Sequence, residues 1–137
     1  MTLVNRAREY AHYLLAAIRF VNGFLAFFLP GTLAKRVGVE VNTSPGLLYF
    51  ERMFGIRTML IAWDLVGGGY DRTVEAVRIG RLIHASDATS AAIAGLRGNL
   101  GRRAAVMTTA ISLVNLMLAL VAKPRPPRAR RINPFAR

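Results

Sequence analysis

The sequence predicts an all-α protein, a bundle of four membrane-spanning helices followed by a disordered basic tail. Two observations carry that expectation. The 137-residue chain is 53% hydrophobic but only 19% charged, against about 25% charged residues in an average soluble domain. Residues 104–122 contain no formal charge at all, and about 20 apolar residues cross a bilayer as a helix. No stretch of β-type alternation competes.

Residues 10–29 form the first expected span, interrupted by His12, Arg19 and Asn22 and ended by the breaker Pro30-Gly31. A central arginine and the lack of a small-x-small cleavage site distinguish it from a secretory signal. The second span, 47–66, opens after Ser44-Pro45, a serine N-cap with proline at the first helical position, and stops at Gly67-Gly68-Gly69. The third, 74–96, is rich in charge but carries a small-residue run from Ala85 to Gly95. Small residues let neighbouring helices approach closely, so the other three helices can shield it. The fourth is 104–122. Residues 1–122 make one membrane domain and 123–137 the tail.

Positive charge sets the orientation, because cytoplasmic loops retain Lys and Arg. The N-terminus, the second loop and the tail together hold nine such residues against five on the other side. Both termini are therefore expected in the cytoplasm, with the protein in the plasma (inner) membrane. Tyr10, Tyr13, Trp63 and Tyr70 all fall at that same interface, where amphipathic rings belong.

The formal charge of +12 comes from 19 Lys+Arg against 7 Asp+Glu. Much of it sits in the tail, at Lys123, Arg125, Arg128, Arg130, Arg131 and Arg137. Proline spacing makes this segment extended, and its cations suit a topology anchor and contact with anionic headgroups, at about 1 kcal/mol per basic residue. Nucleic-acid binding is not expected, since no aromatic interleaving or recognition motif accompanies the charge.

Helical geometry sorts the polar residues into faces. Arg8, His12, Arg19 and Asn22 make one stripe on the first span, Arg57 and Asp64 one on the second, and Thr108, Ser112 and Asn115 one on the fourth. An ionised side chain at bilayer depth costs about 2.5–3.5 kcal/mol on insertion scales, so such groups face inward and pair. At about 1.5 Å of rise per residue, Arg19, Arg57, His84 and Asp87 lie near mid-span. The expectation is two ionic layers: Asp87 offsetting Arg19 and Arg57, and Asp64 meeting Arg78 and Arg81 across the glycine turn. Asn22, Ser112 and Asn115 then satisfy remaining donors.

The order Arg19…Gly23…Pro30…Gly38, then Arg52-Met53-Phe54-Gly55-Ile56-Arg57, then Asp87-Ala88 resembles a widespread family of small four-helix integral membrane proteins known only as a domain of unknown function. The resemblance runs from Arg19 to the last span. It implies the same four-helix topology and no established activity or cofactor. The family's second helix typically reads Gly-x-Arg-Asp, whereas Thr58 stands here at the acidic position. Arg57 thereby loses a local carboxylate, leaving Asp64 or Asp87.

Catalytic chemistry finds little footing. Absence of cysteine removes thiolate nucleophiles and ligands, and two distant histidines make no metal cluster. His84, Ser86 and Asp87 splay around a helix and cannot converge as a triad. Asp64 and Asp71 bracket the glycines as the one arrangement open to a divalent metal, and Gly67-Gly68-Gly69 lacks the Lys-Ser/Thr of a phosphate loop. Asn42-Thr43-Ser44 matches a glycosylation sequon but reads as helix capping before Pro45. The expected function is a non-enzymatic accessory or interaction subunit, homo- or hetero-oligomeric in the membrane and without a cofactor. The alternative is a small proton, ion or metabolite transporter using Arg19, Asn22, Arg57, Asp64, Arg81, His84, Asp87 and Asn115.

Overall fold

A computed structural model describes residues 3–36, 38 and 45–126. Among them every regular element is helical: α1 (Leu3–Phe28), α2 (Thr32–Arg36), α3 (Pro45–Val66), α4 (Gly69–Leu96) and α5 (Arg102–Val121). Four are long, at the places the hydropathy pattern predicts. α1 begins at Leu3 rather than at residue 10, since Arg6, Ala7, Arg8 and Glu9 are strong helix formers that prolong the helix beyond its apolar part. The short α2 follows the Pro30-Gly31 break and was not expected. The Ser44 cap, the sequon and tail residues Arg128, Arg130 and Arg131 lie outside the described residues.

Among the described residues, only α1 and α5 are long and apolar enough to cross a membrane by length and composition. α3 is interrupted by Glu51, Arg52, Arg57 and Asp64, and α4 is charged in its first half and too rich in small and polar residues in its second.

The helices pack as a ring. α1 lies most extensively on α3 and α4 on α5, while α3 touches α4 and α1 touches α5 more briefly. This leaves α1 and α4 on a diagonal. Close approach within each pair depends on small residues: Gly23 abuts Gly55 between α1 and α3, and Gly95 abuts Ala105 between α4 and α5. The turn into α4 uses Gly69 at φ +80°, and the exit from it uses Gly98 at φ +73°, a left-handed conformation that glycine adopts without a Cβ penalty.

All four long helices share one core cluster: Ala11, Leu15 and Ala16 of α1, Leu65 of α3, Ala76 and Val77 of α4, and Ala119 of α5 with the adjoining Ala122. It sits at the end where the first turns of α1 meet the segment after α5, the Lys123 N–H donating to the Arg8 carbonyl at 2.9 Å. Among the described residues, only Leu15 and Leu65 are large and fully buried. The exterior is the reverse. Phe20, Phe24, Leu60, Trp63, Leu82, Val114 and Met117 are all exposed, while His12, Arg19, His84, Ser112 and Asn115 are buried. In water each exposed large side chain forgoes about 1.5–3 kcal/mol of burial; in lipid it does not.

Candidate functional site

Two of the buried polar side chains, Arg19 of α1 and His84 of α4, meet where the diagonal helices face each other. Arg19 is placed by α1 one turn above Leu15, on the inward face with Ala11, Ala16, Gly23 and Ala26. Its Nη1 donates to Nε2 of His84 on α4 at 2.5 Å, between residues 65 apart in sequence. Guanidinium carries donors only, so Nε2 is the acceptor and the imidazole proton resides on Nδ1. That nitrogen faces Asp87 Oδ2 at 3.9 Å, one turn along α4. Asp87 is 47% exposed against 5% for His84, and its carboxylate lies within electrostatic reach of Arg19. The three groups thus run in a line from the bundle interior to its flank.

On α5, Ser112 and Asn115 are both buried. Arg19 Nε and Asn115 Oδ1 have no hydrogen-bond partner. Asn22, a further turn along α1, is half-buried.

Arg57 departs from the expectation. It is exposed on the outer side of α3, with no ion pair or hydrogen bond among the described residues, and does not meet Asp87. The inward positions of α3 are Gly55, Thr58, Ala62 and Leu65, one residue out of phase with the Arg57–Asp64 stripe. Close packing at Gly55 fixes that phase, and the long arginine side chain turns outward. Thr58, beside Arg57 on the inward face, is 5% exposed.

The second expected ionic layer is also differently built. Asp64 pairs with Arg72 at 3.4 Å, both well exposed, and not with Arg78 or Arg81. The glycine turn is tight, so the nearest cation in α4 reaches Asp64 first. Thr73 locks the same turn, its hydroxyl donating to the Gly69 carbonyl at 2.9 Å and lying 3.2 Å from that of Asp64. Arg78 pairs with Glu75 at 3.6 Å within α4. Arg81 Nε donates to the Ala119 carbonyl of α5 at 3.1 Å, binding the two helices through backbone rather than through a carboxylate.

Where the segment after α5 passes the start of α1, Arg125 Nε pairs with Glu9 Oε1 at 2.5 Å, while Lys123 is exposed. The start of the tail is therefore seated on α1. The neighbouring cleft of about 390 Å³ is lined by Glu9, Tyr10, His12, Tyr13, Tyr70, Thr73 and Arg125 among others. Sequence reasoning missed this pair, because Glu9 and Arg125 are remote in the chain and only the return of α5 beside α1 brings them together. No group of three or more His, Cys, Asp or Glu side chains capable of holding a metal occurs among the described residues.

No protein-family model, no curated protein and no solved structure matches this chain.

Proposed function

We propose that this chain is a four-helix integral membrane protein of the plasma (inner) membrane, with both termini cytoplasmic, acting as a non-enzymatic accessory or interaction subunit. The observation that carries the reading is the inverted polarity of the bundle: large apolar side chains outside, Arg19, His84, Ser112 and Asn115 inside. Such a surface suits lipid, and a contiguous apolar exterior of this kind is uncommon on a soluble monomer. In this placement α1, α3, α4 and α5 all span, the charges of α3 and α4 being covered by neighbours or by a partner. Arg57 and Asp87, outward or half-outward near mid-span, favour a partner in the membrane, because ionised groups at that depth are normally covered. Kinship with the small four-helix membrane family is part of the proposal. It is supported by the meeting of the motif glycines Gly23 and Gly55 and by the proximity of Arg19 to Asp87.

A second reading, transport of a proton or small solute, draws on the Arg19–His84–Asp87 line. Chains of ionisable side chains within a membrane mark proton and ion paths in pumps and transporters. Purification of a tagged copy from native membranes in mild detergent separates the two. The accessory reading expects a stoichiometric second protein. A homo-oligomer that dissipates a proton gradient in liposomes, and loses that activity in His84→Ala, would replace it with the transport reading.

A further inference from the structure

We infer that the cleft between the start of α1 and the segment after α5 is a binding site for an aminophospholipid headgroup, a primary ammonium joined to a phosphate diester. The inference rests on the membrane placement proposed above. Its starting point is the pair Glu9–Arg125, an acid on the first helix and a base just beyond the last, 2.5 Å apart. The cleft beside them measures about 390 Å³, within the range of about 300–1,000 Å³ typical of small-molecule sites. Tyr10, Tyr13 and Tyr70 surround it, supplying the ring faces that attract ammonium groups at the end of the bundle where tyrosine marks the lipid interface. His12 forms part of the wall, is 6% exposed, and its Nδ1 has no hydrogen-bond partner.

Charge arithmetic selects the ligand. A zwitterionic headgroup exchanges one ion pair for two, its ammonium on Glu9 and its phosphate on Arg125, and strands neither side chain. An anionic headgroup without an amine satisfies Arg125 and leaves Glu9 bare, an outcome penalised wherever water is scarce. A choline headgroup carries the charge but has no N–H to donate to the Glu9 carboxylate. The hydrogen bond from Lys123 to the Arg8 carbonyl holds Pro124 and Arg125 over the cleft, so the cationic half of the site is positioned by backbone.

The test is native mass spectrometry of the full chain, released from detergent in the presence of equimolar phosphatidylethanolamine, phosphatidylcholine and phosphatidylglycerol of matched acyl chains. Phosphatidylethanolamine adducts are expected to exceed the other two by about tenfold, a difference of roughly 1.4 kcal/mol. Glu9→Gln and Arg125→Gln should each abolish the preference, and Ser90→Ala, remote on α4, should keep it. Arg125 lies beyond the last helix, so its replacement tests the site without threatening the bundle. Equal binding of the three lipids, or a preference that survives both substitutions, overturns the site. Displacement of the lipid by equimolar O-phosphoethanolamine overturns the lipid assignment in favour of a soluble ligand. Carbonate washing of membranes from the same cells separates the two readings: a retained chain without lipid preference rejects only the headgroup site, and a chain released into the wash rejects the membrane placement.

Discussion

Gly23 and Gly55 meet back to back where α1 crosses α3, and a Cβ on Gly55 would stand 2.7 Å from the Gly23 carbonyl oxygen and 2.6 Å from the Phe27 nitrogen. Both obstacles are backbone, which cannot rotate away as a side chain would. Gly55→Ala must therefore push the helices apart, at about 1–3 kcal/mol for overpacking. Gly80→Ala is the matched control, since its Cβ would find only Ala119 Cβ at 3.9 Å and alanine favours helix by about 0.8–1 kcal/mol over glycine. Thermal unfolding in one mild detergent should rank Gly80→Ala at or above the parent and Gly55→Ala several degrees below it. Equal midpoints for the two would show that the α1–α3 crossing is not as tight as described.

Replacing His84 removes the acceptor that Arg19 Nη1 uses in a buried setting. Leaving a buried charged donor unsatisfied costs more than the hydrogen bond contributes, so His84→Ala is expected to destabilise by about 3 kcal/mol. The pair Arg19→Met with His84→Leu, which removes both polar partners together, should recover much of that loss. A double-mutant cycle in detergent measures the coupling; strictly additive losses would mean that the two side chains do not interact.

How far these relationships were legible in the sequence differs by element. The four long helices were, because apolar and small-residue runs of helical length, bounded by Pro30-Gly31 and Gly67-Gly68-Gly69, announce both the helices and their ends. The inward faces of the outer two long helices were too: Arg19 is where the α1 stripe put it, and Ser112 and Asn115 repeat on α5 at helical spacing. On α3 the same reasoning picked the charged residues Arg57 and Asp64 as the inner face, whereas the phase is set by Gly55 and its small neighbours Thr58 and Ala62. Periodicity records which residues share a side but not which side faces in, and on α3 the close approach of Gly55 to α1 outweighed the cost of exposing an arginine. The partners of Asp64 and Glu9 depend on the tightness of one turn and on the return of α5 beside α1, neither of which a single chain's hydropathy reveals.

The outward position of Arg57 separates it from Arg19, although the two looked equivalent as mid-span cations. Arg57→Leu should change stability by no more than about 0.5 kcal/mol in detergent, as for surface sites without partners. Asp87→Ala should fall between it and His84→Ala, because Asp87 supports the His84 ring from 3.9 Å while half exposed. Unfolding midpoints in the order Arg57→Leu, Asp87→Ala, His84→Ala, from highest to lowest, are the expected outcome. If Arg57→Leu were instead the most damaging of the three, α3 would have to be rotated so that Arg57 points inward.

Topology can be read directly, because the chain contains no cysteine and single cysteines can be introduced without removing any. Asp71 is exposed at the start of α4 and Asn99 is exposed between α4 and α5, so in a spanning bundle they lie on opposite sides of the membrane. The charge bias places Asn99 outside. Asn99→Cys should react with a membrane-impermeant maleimide in intact cells, and Asp71→Cys only after permeabilisation. Ala16→Cys, at a core position 5% exposed, should stay unlabelled until the protein is denatured. Labelling of Asp71→Cys and Asn99→Cys from the same side would mean that α4 does not span. Asp71→Cys reacting in intact cells while Asn99→Cys requires permeabilisation would invert the orientation and leave the four-helix crossing intact.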